Sequence, residues 1–142
     1  MEKPKSIKVM TISILVIAML GILNFIPNLF LLFISPEIVV SKYTQLGLNP
    51  SISIFQGILS FLLQLSALIS TIMILQYKGW GRKLLCITTG LMVMSAISNI
   101  ILSLVQSVGF VVIAVISNLF VIGFYGYSWC YFNRNKVKTY FN

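Results

Sequence analysis

The placement of charge constrains this chain more than any other feature. Every Lys, Arg and Glu lies outside three uncharged and mostly apolar stretches, which cover residues 9–34, 51–77 and 84–132. A helix needs about 20 apolar residues to cross the hydrocarbon core of a bilayer. The third stretch is long enough for two such helices and has a polar break at residues 106–109. The pattern therefore predicts four transmembrane helices.

The composition indicates the same class of protein. Only 8% of the residues are charged and the mean hydropathy is +1.01, whereas a soluble domain usually has about 25% charged residues. We expect an all-α, polytopic membrane protein in which residues 1–142 form a single transmembrane domain, built as a four-helix bundle. The predicted helices cover about residues 8–34, 51–77, 84–105 and 110–132.

A fifth, shorter helix is expected between the first two spans. Pro36 and Glu37 have the pattern of a first helical turn, and Gly47 fits a C-terminal stop. Apolar and polar residues segregate between them, which favours a short helix over about residues 36–46 that rests on the outer membrane surface. Asn49 is then expected to begin the second span.

The basic residues indicate the orientation of the chain. Lys and Arg number three before the first predicted helix, one between the first and second, three between the second and third, and three after the fourth. Because short cytoplasmic loops retain Lys and Arg, both termini are expected in the cytoplasm. The net charge of +8 follows from these anchors, so nucleic acid is not an expected partner. The first apolar run exceeds the roughly 7 to 15 residues of a secretory signal and is expected to remain as a helix.

Each predicted span carries a stripe of polar and small residues at spacings of three and four. The largest polar members are Gln56 and Gln64 in the second span, Asn99 in the third and Asn118 in the fourth. Such stripes face the interior of a bundle, where they permit close helix approach and interhelical hydrogen bonds worth about 0.6 kcal/mol each. The alternative interpretation is a polar cavity or pore.

The chain offers almost no acid–base chemistry. It contains no His and no Asp, and its two acidic residues are Glu2 and Glu37. A catalytic triad, a carboxylate pair or a zinc site would each need side chains that are missing. We therefore predict no catalytic, cofactor-binding or metal-binding residues and no enzyme activity. Cys86 and Cys130 lie near predicted cytoplasmic helix ends and are expected to be free thiols.

Basic and aromatic residues gather at the predicted cytoplasmic boundary, where they are candidate contacts for anionic lipid or a partner protein. These residues are Lys78, Trp80, Arg82, Lys83, Trp129, Arg134, Lys136 and Lys138. Residues 78–83 contain two glycines and are expected to form a tight, mobile turn. The tail at residues 134–141 is expected to lie on an anionic leaflet, with about 1 kcal/mol contributed by each basic residue near the surface.

Three segments carry a resemblance to known proteins. They are Lys-Gly-Trp-Gly-Arg-Lys at residues 78–83, Ser-Pro-Glu at 35–37 leading to Gly-x-Asn-Pro at 47–50, and the aromatic and basic residues of 131–141. In these segments the chain resembles small bacterial integral membrane proteins with four helices, a class without an assigned activity. The resemblance implies a multi-pass protein of a bacterial cytoplasmic (inner) membrane.

Short loops and missing acid–base chemistry leave lateral association as the main expected activity. We expect a non-enzymatic accessory, regulatory or immunity-type membrane protein that acts through helix packing and interface contacts. Its expected partners are membrane lipids, anionic at the cytoplasmic face, and either further copies in a homo-oligomer or another membrane protein. The alternative is a channel or uniporter-like subunit for a small solute or ion, formed by oligomerisation.

Overall fold

The computed structural model describes residues 4–76, 78–105 and 111–141, and the secondary structure of those residues is all-α. Four of the described helices are long enough and apolar enough to cross a membrane. In chain order the helices are α1 (Lys5–Ile34), α2 (Pro36–Gln45), α3 (Pro50–Leu75), α4 (Gly79–Val105), α5 (Val111–Asn133) and α6 (Asn135–Lys138), followed by a 3-10 turn (Thr139–Phe141). The predicted end of the second span at Tyr77 and the predicted turn at residues 106–109 lie outside the described residues.

The sequence around Gly47 and Asn49 explains how α2 ends and α3 begins. Gly47 has a φ of +72°, a left-handed conformation that commonly ends helices and favours glycine. The Asn49 Oδ1 atom accepts hydrogen bonds from the backbone N–H groups of Ser51 and Ile52, at 3.1 and 3.3 Å. Pro50 occupies the first helical position, where an N–H would have no helical partner. The stop at Gly47 and the start at Asn49 are therefore both confirmed.

The start of α4 differs from the prediction. The sequence predicts a mobile turn over residues 78–83, but α4 already begins at Gly79. A Cβ atom on Gly81 would lie 2.6 Å from Met73 Cβ and 2.9 Å from the backbone oxygen of Ser70. Because Gly81 has no side chain, α4 can pack directly on the backbone of α3. The expectation of a turn is wrong here, since this glycine serves close helix packing.

The long helices pack in series along the chain. Close backbone packing pairs α1 with α3, α3 with α4 and α4 with α5. Successive long helices run in opposite directions, so α1 and α4 begin at the end where α3 and α5 finish. We call this the terminal end. There the Tyr131 hydroxyl donates a hydrogen bond of 2.9 Å to Ser6 Oγ, which joins α5 to α1.

The half of the bundle next to the terminal end contains the hydrophobic core, and we call it the packed half. Val137 of α6 is buried in this core, and Phe141 packs against it. Close packing of this kind sums many small dispersion contacts. The fully buried large apolar side chains of the core come from all four long helices and are Ile7, Ile14, Ile74, Leu85 and Phe132.

The half farther from the terminal end is less completely filled, and we call it the open half. Here α1, α3, α4 and α5 line two cavities of about 390 and 130 Å³, and the wider one extends to the α2–α3 connection. The two halves therefore differ in packing: buried apolar side chains fill the packed half, whereas the open half contains the two cavities. The amides of the polar stripes lie in the open half.

Candidate functional site

Four amide side chains from three helices line the space in the open half. Gln56 and Gln64 come from α3, Asn99 from α4 and Asn118 from α5, and each is half-buried. Asn99, Asn118 and Ser60 line both cavities, so the two cavities adjoin. We call the combined space the amide cleft. The structure thus brings to one cleft the four polar residues that the sequence singles out.

Gln64 lies at the inner end of the amide cleft and contacts two neighbouring helices. Its Oε1 atom accepts a hydrogen bond of 3.3 Å from the Tyr125 hydroxyl of α5. Gly21 of α1 lies so close that a Cβ atom there would be 2.8 Å from Gln64 Cδ. Leu63 and Met92, which line the same inner end, are only 8% and 5% exposed. The cleft is therefore closed toward the packed half.

The amide cleft reaches deep into the bundle. At 1.5 Å per residue, Gln64 lies about 21 Å along α3 from Pro50 and about 17 Å from Leu75. It is therefore near the middle of a helix that is long enough to cross a bilayer. In any helix that crosses a bilayer, a polar side chain near the middle faces protein or water, because hydrocarbon offers it no hydrogen bonds.

Aromatic contacts fix α1 on α3 beside the mouth of the cleft. The rings of Phe25 and Phe61 stack with their centroids 5.5 Å apart. A Cβ atom on Gly57 would lie 2.7 Å from the Phe25 ring, so this glycine makes room for it. Tyr43 and Leu48 line the wider cavity at the same level. The mouth is therefore bounded by apolar and aromatic side chains, whereas the interior is polar.

The amides of the cleft are incompletely hydrogen-bonded within the part of the chain that the structure describes. Asn118 Nδ2 donates to the Ala114 carbonyl of its own helix at 2.8 Å. Within residues 4–76, 78–105 and 111–141, the side chains of Gln56 and Asn99 make no hydrogen bond. Each amide has two donor hydrogens and an acceptor oxygen. The cleft can therefore bind a neutral polar group from outside this chain.

Hydroxyl groups elsewhere on the stripes have their partners nearby. Ser66 and Thr88 form a 2.7 Å pair between α3 and α4. The other buried serine and threonine hydroxyls donate to the carbonyl four residues earlier at 2.6 to 2.9 Å, and they belong to Thr11, Ser70, Thr71, Thr89 and Ser128. Helix packing fully accounts for these residues. Among the residues that line the cleft, the amides and the hydroxyls of Ser60 and Ser95 are left with capacity to bind something else, since the described residues offer these hydroxyls no hydrogen bond.

The basic and aromatic residues at the start of α4 occupy two kinds of position. Lys78 and Lys83 are exposed, Trp80 is 73% exposed, and Lys83 Nζ lies 5.3 Å from the Trp80 ring centroid in a cation–π contact. Arg82 is half-buried, and its Nη1 donates to the Phe132 carbonyl at 3.3 Å. Its Nε is buried without a hydrogen-bond partner among the described residues. Arg82 thus ties α4 to α5, while the lysines and Trp80 are accessible.

The tail after α5 packs against the bundle. Val137 is buried in the core, and a Cβ atom on Gly79 would lie 2.6 Å from the backbone oxygen of Phe141. Arg134 and Lys136 are exposed, and Lys138 is half-buried. Val137 and Phe141 of the tail therefore pack against protein. Tyr140, which is 37% exposed, and the exposed basic side chains remain accessible to a lipid surface.

Trp129 lies on a different surface from Trp80. It lines an apolar groove between α4 and α5, together with Gly90 and Gly126. Cys86 and Cys130 line the same groove, and both are free thiols, as the sequence predicts. The sequence analysis missed this groove. Glycines in the middle of two apolar helices were the available signal, but their use depends on which helix faces meet.

Comparison with known proteins assigns no family to the chain. No protein-family model, curated protein or solved structure matches it.

Proposed function

We propose that this chain is a non-enzymatic protein of a bacterial cytoplasmic membrane, which it crosses four times with both termini in the cytoplasm. Four apolar helices of sufficient length support the crossings. Nine of the ten Lys and Arg residues lie near the start of α1, near the start of α4 or after α5, and Lys42 is the exception. This one-sided distribution supports a cytoplasmic terminal end.

We propose further that the protein acts by lateral association, as an accessory, regulatory or immunity-type partner of another membrane protein or of a second copy. The observation that carries this proposal is the pair of amides, Gln56 and Asn99, that lie in a cleft within the candidate spans and make no hydrogen bond to the described residues. A polar side chain from a neighbouring helix could hydrogen-bond to these amides, and such a bond between membrane helices contributes about 0.6 kcal/mol.

The chemistry of the cleft supports association over catalysis. Amides and hydroxyls donate and accept hydrogen bonds, but they do not exchange protons near neutral pH. The chain has no His and no Asp to supply that exchange. The cleft is therefore suited to holding a neutral polar group, and a partner helix with Ser, Thr, Asn or Gln has the matching chemistry.

Site-specific photocrosslinking in cells tests the proposal. A photoreactive residue at position 118, in the cleft, is expected to give a discrete adduct, either a dimer or a heterologous complex. The same residue at position 120 is the matched control, because Phe120 lies on the same helix and is 70% exposed. Equal adducts from both positions, or none from position 118, would overturn the proposal.

A second pair of variants tests whether the cleft amides contribute to the crosslinked contact. Asn99→Leu removes one of these amides and is expected to reduce the adduct from position 118 about threefold, as expected for a hydrogen bond of about 0.6 kcal/mol. Asn24→Leu removes an exposed amide of α1 and is expected to leave the adduct unchanged. A similar loss in both variants would show that the amide cleft is not the contact.

A channel or uniporter-like subunit is the second candidate. The polar lining that continues from the mouth to Gln64 favours it. The buried Leu63 and Met92 at the inner end oppose a path through a single chain, so conduction would need an oligomer or a second conformation. Solute flux into liposomes distinguishes the candidates. Flux that Gln64→Leu abolishes in a folded bundle would favour the channel.

A further inference from the structure

We propose that the groove between α4 and α5 is a binding site for one acyl chain of an anionic phospholipid. The site lies on a different surface from the amide cleft. It rests on the proposed membrane insertion and is independent of the proposed protein partner. Three features support this site: two glycines in the groove, the apolar residues that line it, and the basic residues at one end.

Two glycines create the groove. A Cβ atom on Gly126 would meet its nearest neighbour, Val93 Cγ2, only at 4.0 Å, and a Cβ atom on Gly90 would lie 3.7 Å from Trp129 Nε1. Neither glycine is needed to avoid a clash, in contrast to Gly81. Both glycines line a groove of about 580 Å³ in the surface of the α4–α5 pair, and their missing side chains keep it open at these positions.

The lining of the groove matches a hydrocarbon chain. Its walls include Ile87, Leu91 and Met94, which are 61%, 47% and 68% exposed. The lining residues on α4 extend from Cys86 to Met94, which is about 12 Å along the helix axis. A narrow apolar groove of this length, open along one side and within two candidate spans, fits a linear chain.

Basic residues near one end of the groove indicate the charge of the lipid headgroup that would bind there. Lys83 is exposed and lies one helical turn before Ile87 on the same face of α4. Arg82 lies one helical turn before Cys86, which lines the groove. Among the described residues the acidic side chain is Glu37, which lies on α2 away from the terminal end. The groove therefore ends in a positive region that favours an anionic headgroup.

Trp129 is a built-in reporter for this site. The chain has two tryptophans, so Trp80→Phe leaves Trp129 as the single fluorophore, and Trp129 lines the groove. The purified Trp80→Phe protein is reconstituted in phosphatidylcholine vesicles that contain increasing fractions of phosphatidylglycerol with brominated chains, which quench tryptophan on contact. A parallel series uses brominated phosphatidylcholine.

We expect half-maximal quenching at a lower fraction of the anionic lipid than of the zwitterionic lipid. The preference should be about fivefold for each basic residue that meets the headgroup, as expected from about 1 kcal/mol per Lys or Arg near the surface. Gly126→Leu fills the groove and should abolish the preference. Gly123→Leu is the matched control and should retain it, because a Cβ atom on Gly123 meets nothing within 4 Å. Lys83→Gln should reduce the preference about fivefold without adding bulk to the bundle.

Each result has a defined meaning. Equal quenching by the two brominated lipids, or equal behaviour of Gly126→Leu and Gly123→Leu, would overturn the lipid site while leaving membrane insertion intact. Quenching by neither lipid, together with a dimer crosslinked through position 94, would overturn it in favour of a second copy in the groove. The adduct from position 118 reports separately on the amide cleft, so the two proposals can fail independently.

Discussion

The packed half and the open half use glycine in different ways. In the packed half, Gly81 lies against the backbone of α3, with the Ser70 oxygen 2.9 Å from where its Cβ atom would be. In the open half, Gly21 lies against the far end of the Gln64 side chain, with Gln64 Cδ 2.8 Å from where a Cβ atom of Gly21 would be. Backbone cannot move aside, whereas a glutamine side chain can change rotamer. The comparison indicates that one half is fixed by helix backbones and the other by adjustable side chains.

A core truncation should produce the largest effect and confirm where the stability lies. Phe132 is fully buried at the terminal end, and Phe132→Ala is expected to lower the free energy of unfolding by about 3–5 kcal/mol. Circular dichroism during SDS titration of the protein in detergent micelles measures the change. Phe120→Ala is the control, since Phe120 is 70% exposed and its loss should cost much less. Similar losses in both variants would contradict the assignment of the core to the packed half.

A single methyl group should be the next most damaging change. Gly81→Ala forces α4 away from Met73 and the Ser70 oxygen, and we expect a loss of about 1–3 kcal/mol in the same titration. Gly123→Ala places the same methyl group on α5 where nothing lies within 4 Å. A neutral Gly81→Ala variant would show that α3 and α4 are not held backbone to backbone.

Loss of the hydrogen bond at the inner end of the cleft should have a small effect on stability. Tyr125→Phe removes the hydroxyl that donates to Gln64 Oε1 at 3.3 Å. The expected cost is about 0.6 kcal/mol, the typical value for such a bond between membrane helices. Tyr131→Phe provides the comparison at the terminal end, where the hydroxyl bonds Ser6 at an exposed position. A loss of several kcal/mol from Tyr125→Phe would mean that the open half is as rigidly determined as the packed half.

The smallest effect on the free energy of unfolding is expected for Gly21→Ala, which tests the difference between this glycine and Gly81. Alanine gains about 1 kcal/mol of helix propensity over glycine, and displacement of Gln64 offsets most of that gain. We expect the free energy of unfolding to change by no more than about 0.5 kcal/mol. The displaced Gln64 should nevertheless alter the crosslinked adduct from position 118. A destabilisation as large as that of Gly81→Ala would remove the distinction between the two halves.

Features that depend on neighbouring residues along the chain could be predicted from the sequence. The Asn49 cap and the Gly47 stop follow from local hydrogen bonding and backbone freedom. The apolar stretches were long enough to indicate four candidate spans. The free state of Cys86 and Cys130 followed from their spacing and position.

Features that depend on which helix faces meet could not be predicted in the same way. The sequence alone indicates a turn at Gly81, whereas the structure packs Gly81 against α3. The sequence likewise indicates a surface tail around Val137, whereas the structure buries Val137 in the core. The amides share a face by helical periodicity, but periodicity does not decide whether that face closes or opens into a cleft. Gly90 and Gly126 form a groove only because α4 and α5 pair in this register.

The packing of the tail has a consequence for how the protein is made. Val137 and Phe141 complete a core that also contains Ile7, at the start of α1. Ribosomes add residues in order, so the first helix waits for its final neighbours until residue 141 has been synthesised. Until then the terminal end lacks part of its packing. The interval between synthesis of α1 and arrival of the tail is therefore when a chaperone or a protease would most readily recognise the chain.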